Sequence, residues 1–258
     1  MGKTTMNAFV KSAFLYAGLA AFAPVSAQAQ AVVTVDRDTF IRHTLITVFY
    51  HELGHGLLDL LSLPLYGPNE PSADIASVMM VDFLYDDEVG GMLMTNAANL
   101  FAAEGLDRGE MADFWDTHGS DQGRFYNTIC VYYGGNTDAR QEMADTLGLP
   151  ESRAERCVDE YQAAADSWGV LLQEMSANAP GTTFQLGTQD EAAPITIEVM
   201  TDELEALNAD LALDLTIPVN IEPCGEANAY YDSGTRSITM CTEFEEYLGQ
   251  MYDLITAE

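Results

Sequence analysis

Apolar residues recur at helical spacing from Phe40 through Ile41, Leu45, Val48, Phe49, Leu53, Leu57 and Leu60, which predicts one long helix over about 39–62 with Asp38 as its N-cap. Pro64, Gly67 and Pro68 break the pattern. A second helix is expected from Asn69, a residue suited to capping, with Pro71 in its first turn and Ile75, Val78, Met79 and Phe83 facing inward. Helical patterns continue over 92–104, 108–117, 121–133, 137–146 and 151–176, with glycines and Pro150 between them. The character changes after about 180. Residues 195–199 alternate like a short strand, 201–211 read as a helix, and strands are expected at 216–221, 228–231 and 237–241, the last two joined by a tight turn at 232–235. A helix over 243–256 closes the chain. The pattern predicts a mainly helical α+β unit, a helical part over about 36–178 followed by an α/β part over about 182–258 with a small antiparallel sheet. Nothing forces a second domain, so 30–258 is read as one.

The first 29 residues stand apart. Lys3 and Lys11 precede an apolar run from Ala13 to Phe22, and Ala27 and Ala29 offer the small residues that a signal peptidase reads. That run is shorter than the roughly 20 residues needed to span a bilayer, so 1–29 is expected to be a cleaved signal peptide and the remainder an exported, periplasmic or secreted protein without a membrane anchor. Charge narrows the partners. The chain has 10 Lys+Arg against 41 Asp+Glu, a formal net charge of -31, and the expected cleavage removes both lysines and no acid. Nucleic acid and anionic lipid would both repel such a surface. An apolar content of 48% still provides a sizeable core.

Export bears on the cysteines. Cys130, Cys157, Cys224 and Cys241 are even in number and form no C-x-x-C pair, so disulfides are expected rather than a metal site. Pairing within local units gives Cys130 with Cys157 in the helical part and Cys224 with Cys241 across the expected hairpin.

The segment that carries chemistry is HELGH at 51–55, inside the first long helix. Histidines four apart lie on one helical face, so His51 and His55 can converge on one zinc ion, and Glu52 beside them can accept a proton from water. A catalytic zinc needs a third protein ligand, and the next acids are Asp59, Glu70 and Asp74. The residues after His55 are Gly56, Leu57, Leu58 and Asp59, which excludes the metzincin continuation. The segment NEPSAD at 69–74 resembles the Asn-Glu-x-x-Ser/Ala-Asp signature of thermolysin-like gluzincins. That resemblance implies Glu70 as the third ligand and Asp74 as the carboxylate that orients a ligand histidine, with a shorter interval between the motifs than in thermolysin.

A wider resemblance covers nearly the whole mature chain. HELGH and the acids of 70–74, FWDTH at 114–118, QGRFYN at 122–127 with Cys130, ERC at 155–157 with Tyr161 and Trp168, and CGEANAYYD at 224–232 with ITMC at 238–241 are similar to a family of bacterial exported metallopeptidase-like proteins of unknown function. Asn69 departs from it, since an acid is common there. The resemblance implies a zincin-like fold, one zinc ion and a peptide or protein substrate. His118, Arg124 and Tyr126 lie in one matched segment and are candidate donors to a developing oxyanion. His43, two turns before His51, reads as an ordinary polar residue of its helix. The same chemistry would serve another amide, such as a cell-wall peptide, and a third reading is a non-catalytic extracytoplasmic zinc-binding module. One of the strands at 228–231 or 237–241 is expected to lie beside the zinc helix and offer its edge to substrate.

Overall fold

A computed structural model describes residues 31–65, 67–109 and 117–257. The expected signal peptide and nearly all of the helix expected at 108–117 lie outside the described residues. The helical part holds α1 (Arg37–Leu60), α2 (Asn69–Leu84), α3 (Asp87–Arg108), α4 (Asp121–Gly135), α5 (Thr137–Thr146), α6 (Glu151–Ala154) and α7 (Cys157–Ala164). A π-helical turn at Ala165–Gly169 joins α7 to α8 (Val170–Ala177). The C-terminal part holds β1 (Phe184–Gln189), α9 (Pro194–Asp210), β2 (Ile217–Glu222), β3 (Ala229–Asp232), β4 (Ser237–Cys241) and α10 (Thr242–Thr256). The protein is α+β and mainly helical, and no described helix is long and apolar enough to cross a membrane.

The helix α1 runs through the middle. Phe40, Leu45, Phe49, Tyr50, Leu53 and Leu57 are fully buried, and the helix packs against α2, α3, α9, α10 and the strands β3 and β4. Its apolar residues share one continuous core with Val199, Leu204, Val219, Ile238 and Leu248 of the C-terminal part. Asp36 rather than Asp38 caps it, accepting from the Thr39 amide at 3.0 Å. Asn69 likewise does not cap α2, whose N-cap position is Pro68 with no side-chain bond.

The sheet is mixed rather than wholly antiparallel. Its strand order is β1-β2-β4-β3, with β1–β2 and β2–β4 parallel and only β3–β4 antiparallel, the last joined through the expected turn. Asp232 closes that turn by accepting from the Gly234 amide at 2.6 Å. The strand expected at 195–199 is the start of α9. Pro194 opens that helix, and Thr196, Val199, Met200, Glu203, Leu204 and Leu207 bury at helical spacing, so five alternating residues belong to a period of 3.6. The edge strand β1 is mostly exposed past Phe184, which leaves no alternation to betray it. Parallel pairing of β1 with β2 needs a crossover, and α9 supplies it. Both expected disulfides form, Cys130–Cys157 and Cys224–Cys241.

Candidate metal centre and cleft

His51 and Glu52 are each 8% exposed on a helix that is otherwise mostly apolar, so their polar atoms require partners from other elements. The helix α2 provides them. Residues 70 and 74 are one turn apart near its start, which turns Glu70 and Asp74 toward α1. The two helices approach closely at Gly54, where a Cβ would stand 2.8 Å from the Ala76 Cβ and 3.1 Å from the Ala73 Cα. Only glycine leaves room for that approach.

Three donor atoms converge. His51 Nε2 and His55 Nε2 lie 3.0 Å apart, and each is 3.2 Å from Glu70 Oε2. Ligands around a tetrahedral zinc at about 2.0–2.1 Å are separated by roughly 3.3 Å, so the spacing and the nitrogen and oxygen chemistry fit a divalent ion of that kind. The far nitrogen of His51, Nδ1, stands 2.8 Å from Asp74 Oδ1. A carboxylate only accepts, so Nδ1 donates to Asp74, and in the neutral ring the Nε2 lone pair faces the shared centre. These residues can hold a metal.

Residues 13–172 and 190–256 match the family model described as "Putative metallopeptidase". The chain belongs to that family. No curated protein and no solved structure matches the chain. Family membership supports a metal-dependent peptidase acting on peptides or proteins, and the unmatched residues 173–189 hold the end of α8 and all of β1.

Other residues of this metallopeptidase-family site come from distant parts of the chain. Arg124 on α4 grips Asp74 with two hydrogen bonds, Nε to Oδ2 at 2.9 Å and Nη2 to Oδ1 at 2.7 Å, while its guanidinium lies 4.1 Å from the Phe101 ring centre. Arg124 thus gives its Nε and Nη2 to Asp74. His118 Nε2 reaches Glu70 Oε2 at 3.1 Å, with its side chain 44% exposed. Tyr126 is not brought to the centre. It packs with Phe125 against the second apolar cluster, built around Ile129, Cys130 and Cys157, because its place on α4 turns it away from α2. Asp59 accepts from the Tyr231 hydroxyl at 2.8 Å, and His43 meets Asn96 at 2.9 Å, so neither joins the donor cluster.

The expected strand beside α1 is β3, at the end of the sheet. The Tyr231 amide donates to Glu52 Oε2 at 2.9 Å, and the Tyr231 ring covers Gly56, where a Cβ would lie 3.2 Å from Cδ2. Sequence reading placed a strand here but not this bond, which joins residues 179 positions apart.

Electrostatics follow from burial and partners. Burial disfavours charge on His51, but hydrogen bonds to Asp74 and Glu70 outweigh it and lift the ring to about 9 in the metal-free protein. Burial also pushes against ionisation of Glu70 and Asp74. His118, His51 and His55 overcome it for Glu70, and His51 and Arg124 for Asp74, so both are held well below the usual carboxylate range. Burial raises Glu52, restrained by His51, His55 and the Tyr231 amide. Among the described residues, cavities adjoin the centre. One of about 250 Å³ opens at His51 and Glu52 and is walled by α3, α4 and α10. Another of about 560 Å³ lies between α2, α4 and the π-helical turn, with Ile75 and Trp168 in its wall.

Proposed function

We propose that the protein is an exported zinc peptidase of the gluzincin kind, with His51, His55 and Glu70 as zinc ligands, Glu52 as general base and Asp74 as the carboxylate that orients His51. The observation that carries the reading is the convergence of two imidazole nitrogens and one Glu70 oxygen within 3.2 Å of one another, beside a Glu52 held by a backbone amide. A zinc ion there would supply Lewis acidity, acidifying a water molecule and polarising the scissile carbonyl.

The chain's own residues perform the remaining work. Glu52 takes a proton from water and delivers it to the leaving amine, and the raised pKa that burial gives it makes it a stronger base than an exposed carboxylate. The Tyr231 amide holds one Glu52 oxygen and leaves the other for water. An extended substrate runs along the cleft at Ala227, Asn228 and Ala229, where the edge of β3 offers backbone groups. His118 is the one flanking imidazole on the open side and donates to the oxyanion.

Elemental analysis of the mature chain, with His55→Ala in parallel, tests the centre. About one zinc per chain, lost in the variant, is the expected result, and no zinc in either after loading removes the reading. A second reading rests on the 3.1 Å contact between His118 and Glu70, which would make His118 a fourth ligand of a closed, structural site. His118→Ala separates the two. Retained metal with slowed hydrolysis supports the catalytic assignment, whereas loss of metal supports the closed site.

A further inference from the structure

The smaller cavity contains a largely buried carboxylate that the proposed chemistry does not use. Glu104, on α3, lines the same cavity as His51 and Glu52. Its Oε1 accepts from the Tyr247 hydroxyl of α10 at 3.2 Å, and its Oε2 accepts from Arg108 at 3.0 Å. Arg108 does not neutralise it fully. That guanidinium is half exposed and shares the same Nη2 with Asp121 at 2.6 Å. The other arginine of the wall, Arg124, is occupied by Asp74. The direct cation partner of Glu104 in this wall is thus a half-exposed arginine that it shares with Asp121, in a chain of net charge -31. The lining of this cavity includes the apolar Val48, Val78, Met94, Leu100 and Phe244 as well as polar residues such as Thr47 and Asn228.

A cavity whose wall combines apolar side chains with a carboxylate compensated by a shared, half-exposed arginine has the chemistry of a receptor for a long cationic side chain. The methylene stem of a lysine or arginine would lie along the apolar wall while its head reaches the acid. The carboxylate retains unused acceptor capacity on both oxygens, since each accepts one bond. Burial pushes the Glu104 carboxyl up, with Arg108 and Arg124 pulling against it, so a further cation would be favoured there. Glu52 lines the same cavity, and in the proposed mechanism Glu52 hands the proton to the leaving amine.

We infer that this cavity is the specificity pocket for the residue that supplies the leaving amine, and that Glu104 selects a lysine or arginine there. The inference rests on the peptidase reading and deepens it. Its volume of about 250 Å³ has room for one such side chain.

Two measurements test it. Cleavage sites in a mixture of synthetic peptides, read by mass spectrometry on the zinc-loaded mature protein, should lie on the amino side of lysine or arginine. The rate should exceed that of the matched norleucine peptides on the order of tenfold or more. Glu104→Gln should bring that ratio close to one. Independently of turnover, calorimetric binding of the same peptides to the Glu52→Gln protein should favour lysine over norleucine, a preference lost when Glu104→Gln is added. Cleavage without a basic preference, or a preference that Glu104→Gln leaves intact, overturns the pocket while sparing the peptidase reading. If no peptide is cleaved, the peptidase reading fails, and equal binding of lysine and norleucine peptides then overturns the pocket separately. The lysine-to-norleucine comparison needs no variant, so it stands even if Glu104→Gln does not fold.

Discussion

His51 and Asp74 meet across two helices, Nδ1 to Oδ1 at 2.8 Å, and Arg124 grips the same carboxylate from a third. The ring orientation of a candidate metal ligand is therefore set by an acid that is itself set by a buried arginine. Such outer partners fix the tautomer and the direction of the lone pair. Asp74→Ala should weaken metal binding by about 10–100-fold, read by competition against a chromophoric chelator. It should also lower the unfolding free energy by about 3–5 kcal/mol, because Arg124 is left buried without its partner. Unchanged affinity would show that Asp74 does not position His51.

Among the described residues, Glu52 makes no bond to another side chain of the cluster and is held by the Tyr231 amide. Glu52→Gln is nearly isosteric and should keep that bond, so metal content should stay at one ion per chain while kcat falls by about 10²–10⁴-fold. A variant that hydrolyses at the parental rate would remove Glu52 from the role of base.

Packing at Gly54 predicts a stability effect with a functional consequence. An alanine there puts its Cβ 2.8 Å from the Ala76 Cβ and 3.1 Å from a backbone carbon of α2, and the backbone carbon cannot rotate away. Gly54→Ala should destabilise the fold by about 1–3 kcal/mol, visible as a lower Tm. Metal affinity should fall with it, since the helix that moves carries Glu70 and Asp74.

Glu203 offers a pH test remote from the metal centre. Burial raises its pKa above the unfolded value, although Tyr50 and Tyr85 both donate to it, Tyr85 at 2.7 Å. Between the two pKa values the folded state binds more protons, so the contribution of Glu203 to stability falls as pH rises from near the unfolded value and stays reduced above the folded one. Glu203→Gln removes this loss. Denaturant midpoints from pH 4 to pH 7 should shift progressively in favour of the variant, and a difference that is flat with pH would contradict the account.

Local spacing made much of this protein legible in its sequence. Apolar periodicity marked α1, α2, α4, α5 and α10. The four-residue interval of His51 and His55, and of Glu70 and Asp74, stacks each pair on one face, a property of any α-helix. Both cysteine pairings followed from short separations, 27 and 17 residues. Only the tertiary structure decided the rest. Arg124 stands 50 positions from Asp74, and the Tyr231 amide 179 positions from Glu52, and no local pattern announces a hydrogen bond closed by a fold-wide path. Tyr126 and Arg124, two residues apart on one helix, point to different surroundings, one to the second apolar cluster and one to Asp74. The strand β1 escaped notice because an exposed edge strand needs no alternation, and 195–199 misled because five residues do not separate a period of 2 from one of 3.6. Sequence by itself determined which residues could act together on one helix. The packing of α1 against α2 and β3, and of α2 against α4, determined which of them meet, since only helices and strands already buried against one another can bring such distant side chains within bonding distance.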